Sequence, residues 1–377
     1  MDRWITLADA TVRTAGAKAG TLGTLLRRGF PVPAGVVLPV DLPDDDLVPV
    51  CGAVVAALGG GALAVRSSAA SEDSVHGSAA GQLTTVLAVT GTADLVAAVR
   101  RVRASVRSER YRAYAGEAAD GGTAVLVQQL VDADVAGVLF TADPALPGGT
   151  ALLEAGRGLG EPVVSGRVTP ERYRVTAGGA VRWEPGRQDV RLDRRDDRLV
   201  TSPVAPALRG RRTLDDRTVR EVVALGDRAG ALLGGPLDVE WALAGGRLWL
   251  LQARPVTAAV PGAGPSTVPG GALAGVPASP GTAVGPVRVV RGPADFGRIR
   301  AGDVLVCAFT EPAWTPLLGV VAAVVTAAGG LLSHAAIVAR ERRVPAVVGV
   351  PGVLGAFADG QVVRVDGSAG TVEPLPR

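Results

Sequence analysis

Two stretches of this 377-residue chain carry residue types at spacings that suit chemistry on a phosphate group. The first reads GGLLSHAAIVARERRVPAVVG and contains His334, one of two histidines in the chain. Ser333 predicts an N-cap, and residues 335–343 predict a helix because they are good helix formers. His334 would then lie at a helix N-terminus, where free amides and the helix dipole favour an anion. An imidazole there can attack phosphorus and hold the phosphate it gains, although a lone histidine at a helix start is more often a capped core residue.

The second stretch, PLDVEWALAGGRLWLLQARP, predicts a hairpin that turns at an Ala-Gly-Gly tripeptide. Strand alternation distributes the polar residues over two facing strands: Asp238 and Glu240 with Ala242 on one, Gln252 and Arg254 on the other. Two carboxylates, an amide and a guanidinium suit Mg²⁺ that bridges phosphate oxygens. Taken alone, an Asp-x-Glu pair on a strand is more often part of a salt-bridged surface.

Both stretches resemble the PEP-utilising enzymes, which include PEP synthase, pyruvate phosphate dikinase and rifampicin phosphotransferase. These enzymes share GG, two residues, SHAAIVARE and then PAVVG, and the run DIEWAL, a glycine turn and LWLLQARP. The resemblance implies that His334 is the phosphate-carrying histidine. It also implies that Glu240 and Gln252, with Asp238, form the metal site and that Arg254 binds phosphate in catalysis.

Lys18 is the only lysine among 39 basic residues. It follows the turn-like AGAKAG and precedes a helix predicted at 21–28, but the P-loop spacing GxxxxGK[ST] is absent. A single lysine in an arginine-rich chain suggests a site that needs a compact ammonium, although a solvated surface lysine is the simpler alternative. The stretch resembles the family's GGKGANL…GFPVPPGFV, with Ala17 in place of a glycine, and this implies that Lys18 binds phosphate.

A Ser/Gly-rich loop follows the predicted strand LAV, and Arg66 stands where the strand ends. Such a loop could fold over a polyphosphate that Arg66 neutralises. The run VRSSAASEDSVHGSAAGQ resembles the family's VRSSATAED…SFAGQ, so Arg66 is expected to bind phosphate and act in catalysis, and Gly81 and Gln82 to contact the nucleotide. His76 lies in the same loop and belongs to no motif, so we interpret it as solvated or as a loop contact.

Further nucleotide contacts are predicted at strand ends. Gln128 and Gln129 end an apolar run, where adenine would lie in an ATP-grasp fold. Glu154 opens EAGRGLGEPVVSG, which resembles the family's EAAWGLGEALVSG, and is expected to contact the nucleotide. The segment 92–114 predicts an amphipathic helix whose arginines face solvent.

Composition excludes several function classes. A net charge of +3 and 3% aromatic residues argue against nucleic-acid binding. Two cysteines without CxxC spacing predict neither a disulfide framework nor a zinc site. No signal peptide is evident, and the uncharged segment 312–339 is interrupted by proline, glycine and Ser-His. We therefore expect a cytoplasmic protein that does not contact membranes.

The predicted fold class is α/β (α+β), and the resemblance implies three parts. They are an ATP-grasp nucleotide-binding domain at 1–257, a Pro/Gly-rich linker at 258–271, and a small swivelling β/β/α phosphohistidine domain at 272–377. A strand at 320–325 is expected before the His334 helix, and the loop 310–316 is expected to help receive the phosphate. We expect no counterpart of the TIM-barrel and drug-binding domains of the named enzymes.

The resemblance implies a dikinase-like phosphotransferase that uses ATP and Mg²⁺. His334 would take the β-phosphate of ATP, with release of AMP and phosphate, and pass it to an acceptor. That acceptor is expected to be a small molecule, such as a hydroxyl compound of specialised metabolism, or a separate protein; the oligomeric state is left open. Two alternatives remain: a non-catalytic ATP-binding half of a split enzyme, and an ATP-grasp ligase that forms an acyl-phosphate and gives His334 no role.

Overall fold

The structure is a computed structural model that describes residues 3–69, 84–106, 122–142, 149–256 and 272–375. Its mixed α/β architecture confirms the predicted fold class. Gly81, Gln82, His76 and the predicted linker 258–271 lie outside the described residues. Within the described ranges, no helix is both long and apolar enough to cross a membrane.

The helices, in chain order, are α1 (Val12–Arg27), α2 (Leu47–Ala57), α3 (Gly91–Ser105), α4 (Glu161–Val164), α5 (Asp216–Leu233), α6 (His334–Arg342) and α7 (Val353–Ala356). The strands of the first 256 residues are β1 (Ile5–Thr6), β2 (Gly35–Leu38), β3 (Leu63–Ser68), β4 (Thr85–Val89), β5 (Ala124–Gln129), β6 (Val135–Phe140), β7 (Ala151–Arg157), β8 (Glu171–Val175), β9 (Val181–Glu184), β10 (Val190–Arg195), β11 (Arg198–Pro203), β12 (Leu237–Ala244) and β13 (Arg247–Pro255). Those that follow are β14 (Leu273–Ala274), β15 (Val276–Ser279), β16 (Thr282–Val289), β17 (Val304–Cys307), β18 (Ala323–Thr326), β19 (Ala346–Val348), β20 (Val362–Asp366) and β21 (Thr371–Pro374).

Two large sheets form the first part of the chain, which we call the large domain (3–256). One has five strands in the order β1-β2-β5-β3-β4, and the other has six in the order β13-β12-β6-β7-β8-β9. Apolar side chains of α1 and α5 share one core with both sheets, while α2 and α3 cover the other face of the five-stranded sheet. Burial of these faces holds β3 and the β12–β13 hairpin in fixed positions.

One eight-stranded sheet, in the order β14-β21-β20-β16-β17-β18-β19-β15, builds the second part, the small domain (272–375). Its strands β16 to β19 are parallel, as expected for apolar strands buried on both faces. Helix α6 packs on one face, where Ala335, Ala336 and Ala339 are buried beside Leu305 and Val324. This packing fixes the helix that begins at His334.

The structure corrects two local predictions. The strand before α6 occupies Ala323–Thr326 rather than 320–325, because residues 317–319 form a 3-10 helix and Val320 is exposed. Lys18 lies within α1 rather than in a turn before a helix. The chain bends at Gly16, where φ is 79° and an added Cβ would lie 2.0 Å from the Ser68 carbonyl oxygen. Only glycine fits this bend, and the bend places Lys18 just after it.

Candidate functional site

The hairpin that the sequence predicts is present as β12–β13. Asp238 lies opposite Arg254, and Glu240 lies opposite Gln252. The register then shifts by one residue, which leaves Leu251 as the extra residue of a bulge. The carbonyl of Leu251, freed from the regular ladder, accepts a hydrogen bond of 2.9 Å from Arg66 of β3. The bulge therefore connects the hairpin to the neighbouring sheet.

The guanidinium of Arg66 lies at the centre of this charged cluster. One of its nitrogens, Nη2, donates to Glu240 Oε2 at 2.8 Å and to Gln252 Oε1 at 2.9 Å. The adjacent guanidinium of Arg254 donates through Nε to Asp238 Oδ2 at 2.9 Å. These side chains are largely withdrawn from solvent, so each charge depends on its partner.

The same cluster fits the predicted metal site in donor type. Glu240 and Gln252 direct two oxygens at a single cationic nitrogen, and oxygen atoms from carboxylates and amides are the ligands that Mg²⁺ takes alongside phosphate and water. The described residues contain no group of three or more His, Cys, Asp and Glu side chains that could hold a metal. Phosphate oxygens would complete the coordination of a metal ion held by Glu240 and Gln252.

His334 is buried at the first position of α6, and a threonine hydroxyl lies near each ring nitrogen. Thr310 Oγ1 is 2.9 Å from Nδ1, and Thr315 Oγ1 is 3.4 Å from Nε2. Ser333 is the N-cap residue as predicted, but its side chain does not cap the helix and donates instead to the Gly330 carbonyl. The first-turn amides of α6 therefore receive no cap from Ser333, and the dipole end stays suited to an anion.

A cavity of about 550 Å³ joins the two groups of residues. Its charged and polar lining from the large domain includes Arg66, Arg101, Gln128, Gln129, Glu161, Asp238, Glu240 and Arg254. The small domain contributes Glu311, Leu332, His334 and Ile337. His334 and the charged cluster around Arg66 thus face the same space, which is large enough for a nucleotide-sized ligand.

Of the predicted residues that the structure describes, three do not line this cavity. Gln252 is buried behind it, within reach of Arg66. Lys18 is buried and donates to the Ser67 carbonyl at 3.3 Å, at the end of β3. Glu154 is fully buried, and its carboxylate accepts hydrogen bonds from the amides of Leu331 at 2.8 Å and Leu332 at 3.0 Å. Glu154 therefore contacts the small domain in this structure and not the cavity.

The two glutamines expected near adenine have different environments. Gln128 is buried and donates to the Pro33 carbonyl, while Gln129 is exposed and donates to the Leu58 carbonyl. Both side chains line the cavity, as a contact with adenine would require. The contact itself stays a prediction.

The structure also shows cavity residues that the sequence reasoning missed. Arg101 of α3 lines the cavity, although we expected the arginines of this helix to face solvent only. Arg103 is half-buried and donates to the carbonyls of Leu42 and Pro39. The apolar residues of α3 predict which face of the helix is buried, but they do not predict that a cavity lies beside its polar face. Glu161 also lines the cavity, and burial raises the pKa of its carboxyl group.

Comparison with known proteins supports both halves of this arrangement. Residues 50–265 match the family model of the pyruvate phosphate dikinase AMP/ATP-binding domain, and residues 299–370 match that of the PEP-utilising enzyme mobile domain. The chain is 37% identical over 318 residues to a probable phosphoenolpyruvate synthase of Methanothermobacter thermautotrophicus, covering 82% of this chain and 46% of that protein. It is 35% identical over 331 residues to the phosphoenolpyruvate synthase of Pyrococcus furiosus, covering 82% of this chain and 40% of that protein. The chain thus spans less than half the length of these curated relatives.

Proposed function

Because this chain belongs to the family of phosphoenolpyruvate-utilising enzymes, we propose that it is an ATP-dependent phosphotransferase that phosphorylates its own His334. One observation carries the proposal: His334 and the Arg66–Glu240–Arg254 cluster line one cavity although they come from different domains. A phosphate held by the arginines would be within the space that the imidazole faces.

The proposed chemistry begins at the ring nitrogen that is less tightly held. The 2.9 Å contact of Nδ1 with Thr310 is a normal hydrogen bond, whereas the 3.4 Å contact of Nε2 with Thr315 is long for a hydroxyl. If Nδ1 carries the proton and donates to Thr310, the lone pair of Nε2 is available for attack. Nε2 then bonds to the β-phosphorus of ATP while the bond from that phosphorus to the oxygen of AMP breaks. Water subsequently removes the γ-phosphate as inorganic phosphate and leaves phosphohistidine.

The surrounding side chains bind and orient the nucleotide. Arg66 and Arg254 would neutralise phosphate oxygens, and Lys18 would do so if the phosphate chain extends toward the end of β3. Glu240, Gln252 and Asp238 would hold Mg²⁺, which would neutralise charge that develops on the phosphates. When phosphate oxygens arrive, the hydrogen bonds of Arg66 to Glu240 and Gln252 can be exchanged for bonds to the ligand.

The acceptor of the phosphoryl group is proposed to be a small hydroxyl compound that reaches phosphohistidine after the small domain has turned away from the nucleotide. A separate acceptor protein is the other outcome of an acceptor screen. In either case His334 must reach first the nucleotide and then the acceptor, so the contacts between the domains must be reversible.

The test is incubation of the purified chain with Mg²⁺ and ATP labelled at the β-phosphate, and in parallel at the γ-phosphate. We expect acid-labile, base-stable label from the β position, which is lost in His334→Ala and kept in His76→Ala, the matched change at the other histidine.

Each other result points to a different function. Label from the γ position alone would indicate an ordinary kinase-like transfer. Absence of label from a protein that binds ATP would favour a binding half of a split enzyme. ATP consumption that survives in His334→Ala would favour an acyl-phosphate-forming ligase.

A further inference from the structure

Glu154 is the fully buried carboxylate at the boundary between the domains. It lies on β7 of the large domain, yet both of its oxygens accept backbone hydrogen bonds from the small domain, Oε1 from Leu331 and Oε2 from Leu332. These amides precede His334 by only two and three residues. On the large-domain side, Arg172 Nε lies 3.4 Å from Oε1 and compensates the charge.

The apolar contacts around this carboxylate belong to the same docking arrangement. The side chains of Leu331 and Leu332 are buried in one cluster with Val138, Phe140 and Leu152 of the six-stranded sheet. Apolar burial holds the two domains together but is non-directional. The two charge-assisted hydrogen bonds to backbone amides fix the position and orientation of the loop on the large domain. The combination sets where His334 stands relative to the cavity.

Gly330 shows how closely the loop of the small domain packs against Glu154. A Cβ added there would lie 2.4 and 2.5 Å from the two oxygens of Glu154, and the nearest three atoms are all from that carboxylate. Gly330 does not have a positive φ, so the backbone itself would accept alanine. The carboxylate of Glu154 therefore makes the closest contacts that a side chain at this position would meet.

We propose that Glu154 is a positioning residue that docks the 331–332 loop on the nucleotide domain and so places His334 at the cavity. This role differs from the nucleotide contact that the sequence suggested. Its effect on phosphorylation rests on the proposed function, but the docking itself does not. A second contact across the boundary, Arg167 with Glu311 at 3.8 Å, is exposed on both sides and contributes little.

The first measurement is residue-resolved hydrogen exchange of the Leu331 and Leu332 amides in the nucleotide-free protein. Glu154→Gln keeps the size of the side chain but removes its charge and one acceptor oxygen. We expect exchange of both amides to accelerate about tenfold or more, because hydrogen bonds to charged groups are the stronger ones. Glu184→Gln is the matched control: it also removes a carboxylate partner of Arg172, but Glu184 does not contact the small domain in the described structure.

The second measurement uses the opposite side of the contact. Gly330→Ala should accelerate exchange at Leu331 and Leu332 as Glu154→Ala does. The double variant should be no worse than Glu154→Ala, because the methyl group then has room. Such non-additivity distinguishes a direct contact from general destabilisation, and thermal unfolding of each variant confirms that it is folded.

The third measurement is the rate of His334 labelling at saturating ATP. In Glu154→Gln this rate should fall about tenfold or more while the ATP dissociation constant stays within about twofold, since docking and nucleotide binding are separate steps. Unprotected amides in the wild type, unchanged exchange in Glu154→Gln, or additive effects in the double variant would each overturn the proposal. Exchange that responds as expected in a protein that never becomes labelled would retain the docking role and reject the phosphotransferase function.

Discussion

Replacing Thr310 by valine tests how the His334 ring is held. Valine preserves the shape of threonine but removes the hydroxyl that lies 2.9 Å from Nδ1. Thr310 is fully buried, so water cannot take its place at the ring without a rearrangement. Thr315→Val is the matched control, because it makes the same chemical change 3.4 Å from the other ring nitrogen.

The two distances determine the expected magnitudes. Leaving one buried hydrogen-bonding group unsatisfied costs roughly 1–3 kcal/mol, which is about a 5- to 150-fold change in rate if the cost appears in the transition state. We expect His334 labelling to slow by about this factor in Thr310→Val. The contact of Thr315 is longer than a normal hydroxyl hydrogen bond, so Thr315→Val should slow labelling by less than about fivefold.

Nitrogen NMR of the imidazole provides a direct readout besides the labelling rate. The chain has two histidines, so His76→Gln removes the second set of ring signals. We expect the wild-type ring to be protonated at Nδ1 and the Thr310→Val ring to be a mixture of tautomers. A larger effect from Thr315→Val than from Thr310→Val, or a wild-type ring protonated at Nε2, would refute the assignment of Nε2 as the nucleophile.

Three further predictions concern other charged and titratable groups. Glu240→Gln should weaken labelling about 10- to 150-fold and raise the Mg²⁺ concentration for half-maximal rate, because a charged ligand is lost. Thiol reagents should modify Cys51 and Cys307 at pH 8 only after denaturation, since burial raises both thiol pKa values, that of Cys51 to about 11. The pKa of Glu161 is raised above its ordinary value of 4.5 by burial, so stability decreases as pH rises through the raised pKa. Glu161→Gln should therefore raise the melting temperature by a few degrees at pH 8 and not at pH 4.

The sequence predicts those parts of the site that depend on local pattern. Alternation along the hairpin correctly places Asp238 and Glu240 on one strand and Gln252 and Arg254 on the facing strand, although it does not give the individual pairs. The helix that begins at His334 is predicted to within one residue, because Ser333 and the helix formers after it act locally.

The sequence does not predict those parts that depend on distant contacts. Glu154 meets Leu331 and Leu332 across 177 and 178 residues, and strand periodicity carries no information about a partner in another domain. The position of Arg101 at the cavity depends on how α3 packs beside β3 and β4. The bulge at Leu251 is likewise invisible in a hydrophobic run that reads equally well with either register. Tertiary packing decides each of these.

The bulge at Leu251 also restricts how the length of the hairpin can change. Without the bulge the ladder would continue by pairing Glu240 with Leu251, and because side chains alternate with a period of two, Gln252 and Arg254 would then turn to the opposite face from Asp238 and Glu240. The two-residue tip at 245–246, with φ values of 55° and 76°, lies at the other end of the ladder and has the type I′ form that a tight turn favours. Natural or engineered insertions should therefore be accepted at the tip in pairs of residues, one on each strand, while single insertions between 241 and 251 are eliminated. Changes to the sequence of this hairpin must therefore preserve the alternation of its side chains between the two faces, rather than its composition.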